Sequence, residues 1–137
     1  MAIFESPEQL YSVAGDLFSR IEAEQPQAVA QLLRARLLVR LACTNPAAEL
    51  WIHSRQRPVK VQFGHQRLHP DLEAHLDGDT LHEILSGRLS LPVAVTGGRL
   101  EVKGQVWKAK ALADLFAQGQ AIYPQVLRAH GVNHKGS

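Results

Sequence analysis

The chain has 137 residues, 45% of them apolar and 20% charged, with a formal net charge of +2. That length holds one hydrophobic core rather than two, and those proportions exclude a disordered chain and a membrane protein. The small charge argues against a nucleic-acid binder, the lone Cys43 cannot close an internal disulfide, and no run approaches the roughly 18 apolar residues of a membrane span. A pI near 8.9 leaves room for transient contact with an anionic membrane surface. The first residues show no basic segment followed by an apolar one, so a cytoplasmic address is expected.

Ser6, Pro7 and Gln9 make a helix start: a capping hydroxyl, proline at the first helical position and a glutamine able to reach back. Leu10, Val13, Ala14, Leu17, Phe18 and Ile21 follow at helical spacing, a stripe that has to lie on apolar surface. Pro26 opens a shorter helix containing Val29, Leu32 and Leu33. From Ala35 the period becomes two, with Leu37, Val39, Leu41 and Cys43 alternating against Arg36, Leu38, Arg40 and Ala42, which predicts a first strand. Asn45-Pro46 is a turn signal, and residues 49–53 read as the partner strand. There Leu50 and Ile52 face one way and Trp51 the other, and both assignments of the inner face stay open. Val59, Val61 and Phe63 alternate with Lys60 and Gln62 in a third strand, and residues 64–70 form a polar loop.

In residues 71–77, Leu72, Ala74 and Leu76 alternate with Glu73, His75 and Asp77, the period of a half-buried strand. Asp77-Gly78-Asp79 is a turn, and Thr80 with Glu83 has capping-box spacing. A helix of about two turns is therefore expected to start at Thr80, with Leu81, Ile84 and Leu85 on one side and Gly87 ending it. Residues 89–95 read as an apolar loop carrying Pro92. After Gly97-Gly98 a fifth strand puts Leu100, Val102 and Val106 on one face and Arg99, Glu101, Lys103 and Gln105 on the other. A helical period follows, with Leu112, Leu115 and Phe116 together. Tyr123-Pro124 ends or kinks that helix, residues 125–130 add another turn or two, and residues 131–137 are expected to be a flexible tail. The pattern predicts an α+β fold: a five-stranded, mainly antiparallel sheet with helices covering one face, in a single domain over residues 1–130.

Three stretches carry a resemblance. Asp71-Leu72 continuing to Leu76-Asp77-Gly78-Asp79-Thr80-Leu81, then Ser86-Gly87-Arg88-Leu89, then Gly98-Arg99-Leu100-Glu101-Val102-Lys103-Gly104 resemble, in order and spacing, the sterol carrier protein 2-like domain. The match spans residues 35–118. The resemblance implies a lipid-binding α+β fold with an apolar tunnel, no catalytic centre and no cofactor. It implies a non-enzymatic intracellular carrier of fatty-acyl, sterol-like or other hydrophobic small molecules; the alternative is an accessory or interaction module serving a partner enzyme. By analogy the tunnel lies between the sheet and its helices, walled by Leu81, Ile84, Leu85, Leu89, Leu91, Val93, Val95, Leu100, Val102, Leu112, Leu115 and Phe116. Trp51 and Trp107 then line the site or stand at its mouth, and ordinary packing with the indole N–H satisfied is the other reading of each. Residues 109–124, weakened by Gly119 and Pro124, are the expected lid.

Other chemistry finds less support. His75, Asp77, Asp79 and His82 fall within eight positions, but strand face, turn and helix start account for them without a metal, and His82-Glu83 lacks the second histidine of a zinc-protease helix. The carboxylates of Asp71, Glu73, Asp77 and Asp79 read more simply as solvated or capping groups than as an acid/base pair. There is no nucleophile elbow, phosphate loop or dinucleotide fingerprint, and Cys43 alternates with core positions.

Overall fold

The structure is a computed structural model and describes residues 2–132. Helix α1 (Pro7–Glu24) is capped by Ser6, whose Oγ accepts from the Gln9 N–H at 3.1 Å. Gln9 reaches back one residue further than a capping box requires, to the N–H of Glu5 at 2.8 Å. Helix α2 (Pro26–Ala35) runs through Ala35, where the sequence pattern placed a strand. Arg36 in the left-handed region (φ 51°) then turns the chain, so the strand starts at Leu38.

The sheet holds β1 (Leu38–Thr44), β2 (Ala48–His53), β3 (Lys60–Phe63), β4 (Leu72–Asp77) and β5 (Glu101–Gly104). Its order is β3-β2-β1-β4-β5, antiparallel except between β1 and β4. The register sets Leu41 opposite Leu50 and Ala74, and Ala74 opposite Val102, so one apolar row crosses four strands on the helix-covered face. To leave the β3 edge and reach β4, residues 64–70 must cross the back of the sheet. His65 Nδ1 there lies 3.4 Å from Glu49 Oε2. This settles the ambiguity at β2: Leu50 and Ile52 face the helices, and Trp51 is buried on the back, its indole N–H donating to Glu49 Oε2 at 3.1 Å.

Helix α3 (Gly78–Leu85) starts earlier than capping-box spacing suggested. Asp77 Oδ1 accepts from the Thr80 N–H at 2.7 Å and is the cap, which draws Thr80 into the helix and buries it. At the other end Gly87 (φ 77°) closes the helix: its N–H bonds the Ile84 carbonyl and that of Arg88 bonds Glu83, the paired bonds that a left-handed terminal residue allows. The apolar residues expected as a loop form helix α4 (Leu91–Thr96). Ser90 Oγ caps the Val93 N–H, and Pro92 sits in the first turn, where no carbonyl needs its missing N–H. Strand β5 stops short of Val106. Gly104 (φ 96°) brings the chain against Asp71, Gln105 donates to the Asp71 carbonyl at 2.7 Å, and a 3-10 turn (Val106–Lys108) leaves Val106 exposed.

Helix α5 (Ala109–Gln120) packs on α1, α2 and α3, and α6 (Tyr123–Ala129) packs on α1. Gly119, expected as a weak point, lies against Ile21 and Leu17 with no room to spare, an ideal Cβ there standing 3.2 Å from Ile21 Cδ1; it serves close helix contact. Val132, expected in the tail, is buried and donates to the Leu127 carbonyl. Residues 133–137 lie outside the described residues.

Candidate functional site

Two apolar cavities lie between the inner face of the sheet and the helices. The smaller, about 60 Å³, is walled by α1 (Leu10, Val13, Leu17, Ile21) over Leu41, Leu50 and Ile52 of the sheet, with Leu81, Leu85 and Leu115 closing its side. The larger, about 470 Å³, has Leu72, Ala74 and Leu76 of β4 and Val102 of β5 as its floor, and Ile84, α4 and the first half of α5 as its roof. Leu41 and Phe116 line both. A volume of 470 Å³ falls in the roughly 300–1,000 Å³ range of sites for small organic molecules. Thr96 and Lys110 are its only polar lining residues, and the Lys110 ammonium is turned to Asp114 at 3.0 Å.

The expected wall residues divide between these spaces. Leu81, Leu85 and Leu115 line the smaller cavity; Ile84, Leu91, Val95, Leu100, Val102 and Leu112 line the larger; Phe116 lines both. Leu89 packs against the core and lines neither. Val93 points to solvent, because in so short a helix Ala94 takes the inward position. Both tryptophans stand off the lining: Trp51 lies on the back of the sheet, and Trp107 is exposed on the 3-10 turn before α5. The α1 stripe and the β4 floor are the walls that sequence reasoning left out of the site. Their signal was present, since the stripe from Leu10 to Ile21 had to meet apolar surface and the β4 alternation gave the floor residues.

The glycine-rich motifs acquire physical roles. Gly98 (φ 75°) ends α4 as Gly87 ends α3. Arg99 then reaches back to α3, its Nε donating to Thr80 Oγ1 at 3.2 Å and Nη2 to Glu83, which ties the two roof helices together. Gly104 passes so near Asp71 that a Cβ would stand 2.3 Å from the Asp71 carbonyl oxygen. The Asp71 carboxylate in turn accepts from the Leu38 N–H at 2.9 Å and from Arg55 at 2.7 Å. Arg55 first, and the Leu38 N–H after it, hold this carboxyl below the ordinary range against the opposing effect of burial. These bonds fix β4 between β1 and β5, and with them the cavity floor.

The titratable groups that the sequence offered for other chemistry hold structural partners. Burial alone would raise Glu49, but Arg40 and the Trp51 indole outweigh it and its carboxyl is held low. His75 lies 3.0 Å from Glu73, Asp79 accepts from the Ile3 N–H at 2.9 Å, and His82 Nδ1 lies 2.8 Å from the buried Tyr123 hydroxyl. With Asp77 capping α3, the four candidate metal ligands go to four separate partners. Among the described residues no three His, Cys, Asp or Glu side chains gather as a metal site would require. A polar hollow at the ends of β1 and β4 is lined by His75, Asp77, Thr80 and Arg99, which already hold the partners named above. Burial first, and Asp77 after it, push the Cys43 thiol up to about 12, which leaves no thiolate for nucleophilic work.

This arrangement is similar to that of the sterol carrier protein domain 2 of Helicoverpa armigera: TM-score 0.66 and 18% identity over 82% of this chain and 89% of that one. The chain has the sterol carrier protein 2-like fold. The same fold relates it to UbiJ-SCP2, a ubiquinone synthesis protein, at TM-score 0.61 and 19% identity over 82% of this chain and 99% of that one. Palmitated SCP2L2 from Aedes aegypti is similar at TM-score 0.58 and 18% identity, over 77% of this chain and 91% of that one. No family model and no curated protein matches the sequence. No helix among the described residues is long and apolar enough to cross a membrane.

Proposed function

We propose that this protein is a non-enzymatic cytoplasmic carrier that takes up a fatty-acyl, sterol-like or other apolar molecule, meeting it at a membrane surface. One observation carries the reading: a cavity of about 470 Å³ between sheet and helices whose lining is apolar but for Thr96 and Lys110. Phe116 and Leu41 line both cavities, so a guest long enough to fill the two would pass between these side chains. The palmitated mosquito protein of the same fold supports an acyl chain as the guest. Burial of several hundred Å² of ligand at about 25 cal/mol per Å² gives on the order of 10 kcal/mol gross. Association and ordering remove a large part of it, leaving micromolar affinity and broad selectivity.

Titration with a fluorescent fatty acid tests this: the reading predicts a saturable signal displaced by palmitate, and a flat titration refutes it. A second reading, an accessory module that presents an apolar substrate to a partner enzyme, is favoured by the likeness to a ubiquinone synthesis protein. It predicts co-purification with a fixed partner and a ligand bound more tightly in the complex than by the free chain.

A further inference from the structure

Six large apolar side chains stand exposed among the described residues, and four of them are gathered on two segments: Val93 (58%) and Val95 (46%) on α4, Val106 (51%) and Trp107 (75%) on the 3-10 turn. These segments border the larger cavity, Val95 lining it from α4 and Ala109 and Lys110 from the residues just past Trp107. Cations surround the turn. Lys108 donates its ammonium to the Ala35 carbonyl at 3.1 Å, which places the exposed Arg34 and Arg36 beside it, and Lys103 and Lys110 flank the turn in sequence. Three carboxylates oppose these five cations: Glu101, 3.0 Å from Lys103, Asp114, 3.0 Å from Lys110, and Asp71, whose carboxyl Lys108 helps to hold low. Five cations against three carboxylates leave this collar an excess of two positive charges, equal to the formal excess of the whole chain.

We propose that this face docks on the surface of an anionic lipid bilayer, with Trp107 and Val106 at the headgroup boundary and α4 beside them. The choice of a bilayer rests on the carrier reading above, because the same face borders the cavity that reading assigns to the apolar guest. Charge and shape favour it independently. A tryptophan with apolar neighbours inside a basic rim suits the boundary between acyl chains and acidic headgroups, where its ring is half buried and its N–H stays wet. Trp51, buried on the back of the sheet, is an internal reference that docking leaves in place.

The test is co-sedimentation of the purified chain with vesicles of phosphatidylcholine, with and without phosphatidylglycerol, read together with tryptophan emission. Expected are partition onto the anionic vesicles that weakens with salt, and a blue shift that Trp107→Ala abolishes. Trp107→Ala and Arg34→Glu should each lower partition by about tenfold, while fatty-acid titration in vesicle-free buffer stays as in the unmodified chain. The proposal is overturned by protein that stays in the supernatant, by variants that partition unchanged, or by a dimer in solution that Trp107→Ala dissolves. That last result would assign the patch to a second copy of the chain. Vesicle binding without fatty-acid binding would sink the carrier reading alone, and the converse would sink the docking face alone.

Discussion

Ala74→Phe separates a real void from a packed core. Ala74 is buried in the middle of β4, faces the larger cavity, and pairs with Leu41 and Val102, which line the same space. A phenyl ring there meets room rather than atoms. A cavity of about 150 Å³ holds benzene, so the ring takes on the order of a third of the 470 Å³ present. Burying it in existing space is worth about 1.5–3 kcal/mol, and phenylalanine suits a strand, so the variant should unfold at equal or higher denaturant. Ala94→Phe is the control: Ala94 is fully buried and lines neither cavity, and enlarging it should cost about 1–3 kcal/mol.

Binding should move the other way. If the ring displaces about three methylenes of an acyl guest, at about 0.8 kcal/mol each, affinity falls roughly fifty-fold. Denaturant unfolding and displacement of a fluorescent fatty acid read the two effects on one preparation. Stability that drops as far in Ala74→Phe as in Ala94→Phe, with unchanged binding, would show that the floor of β4 is packed and that the guest sits elsewhere.

Three further outcomes follow from the scaffold. Asp71→Ala leaves the Leu38 N–H without its carboxylate and should cost about 1–3 kcal/mol by denaturant unfolding, with little of that from Arg55, whose side chain is half exposed. Because the folded Asp71 carboxyl is held low, its contribution is present above the unfolded pKa and fades as pH falls through the folded one, so the variant's stability should fall less steeply below about pH 4. Gly104→Ala puts a Cβ against the Asp71 carbonyl at a positive φ and should cost more than about 3 kcal/mol; a well-folded variant of native stability contradicts the β4–β5 geometry. Cys43 should react with Ellman's reagent only as fast as the protein unfolds, and rapid labelling of the native chain would show an exposed thiolate.

Much of this architecture is legible in the sequence because period and punctuation are local properties. The alternation in residues 71–77, the Ser6-Pro7 start and the glycine at position 87 each describe what one segment does, and the structure keeps them. The segment at 91–96 is different. Valine, threonine and proline argue against a helix of six residues, and only the Ser90 cap and the left-handed Gly98 close one there. Thr80 lost the cap to Asp77 because that carboxylate, at the strand's end three residues ahead, accepts from the Thr80 N–H and draws Thr80 into the helix. Sidedness was the hardest to read: Val93 belongs to an apolar run and Val106 to an alternating one, yet both stand exposed, because which face of a short helix or turn is inward is decided by what packs beside it.

The larger cavity also sets a limit on how this protein can exist. It arises where small side chains oppose one another, Ala74 on the floor and Ala109 and Ala113 on the roof, and α4 is only six residues long. At about 24 cal/mol per Å³, a dry void of 470 Å³ would cost on the order of 11 kcal/mol, as much as the whole stability of an ordinary domain. The space is therefore hydrated through its opening or occupied by an apolar guest, and the guest has the advantage because the walls offer water so few partners. Ligand should accordingly stabilise the fold: at a hundred times the dissociation constant the gain is about 2.7 kcal/mol, a rise in Tm on the order of 10 °C. Thermal unfolding with and without palmitate measures it. A Tm that stays put at saturating fatty acid would mean that the cavity is not where the ligand goes.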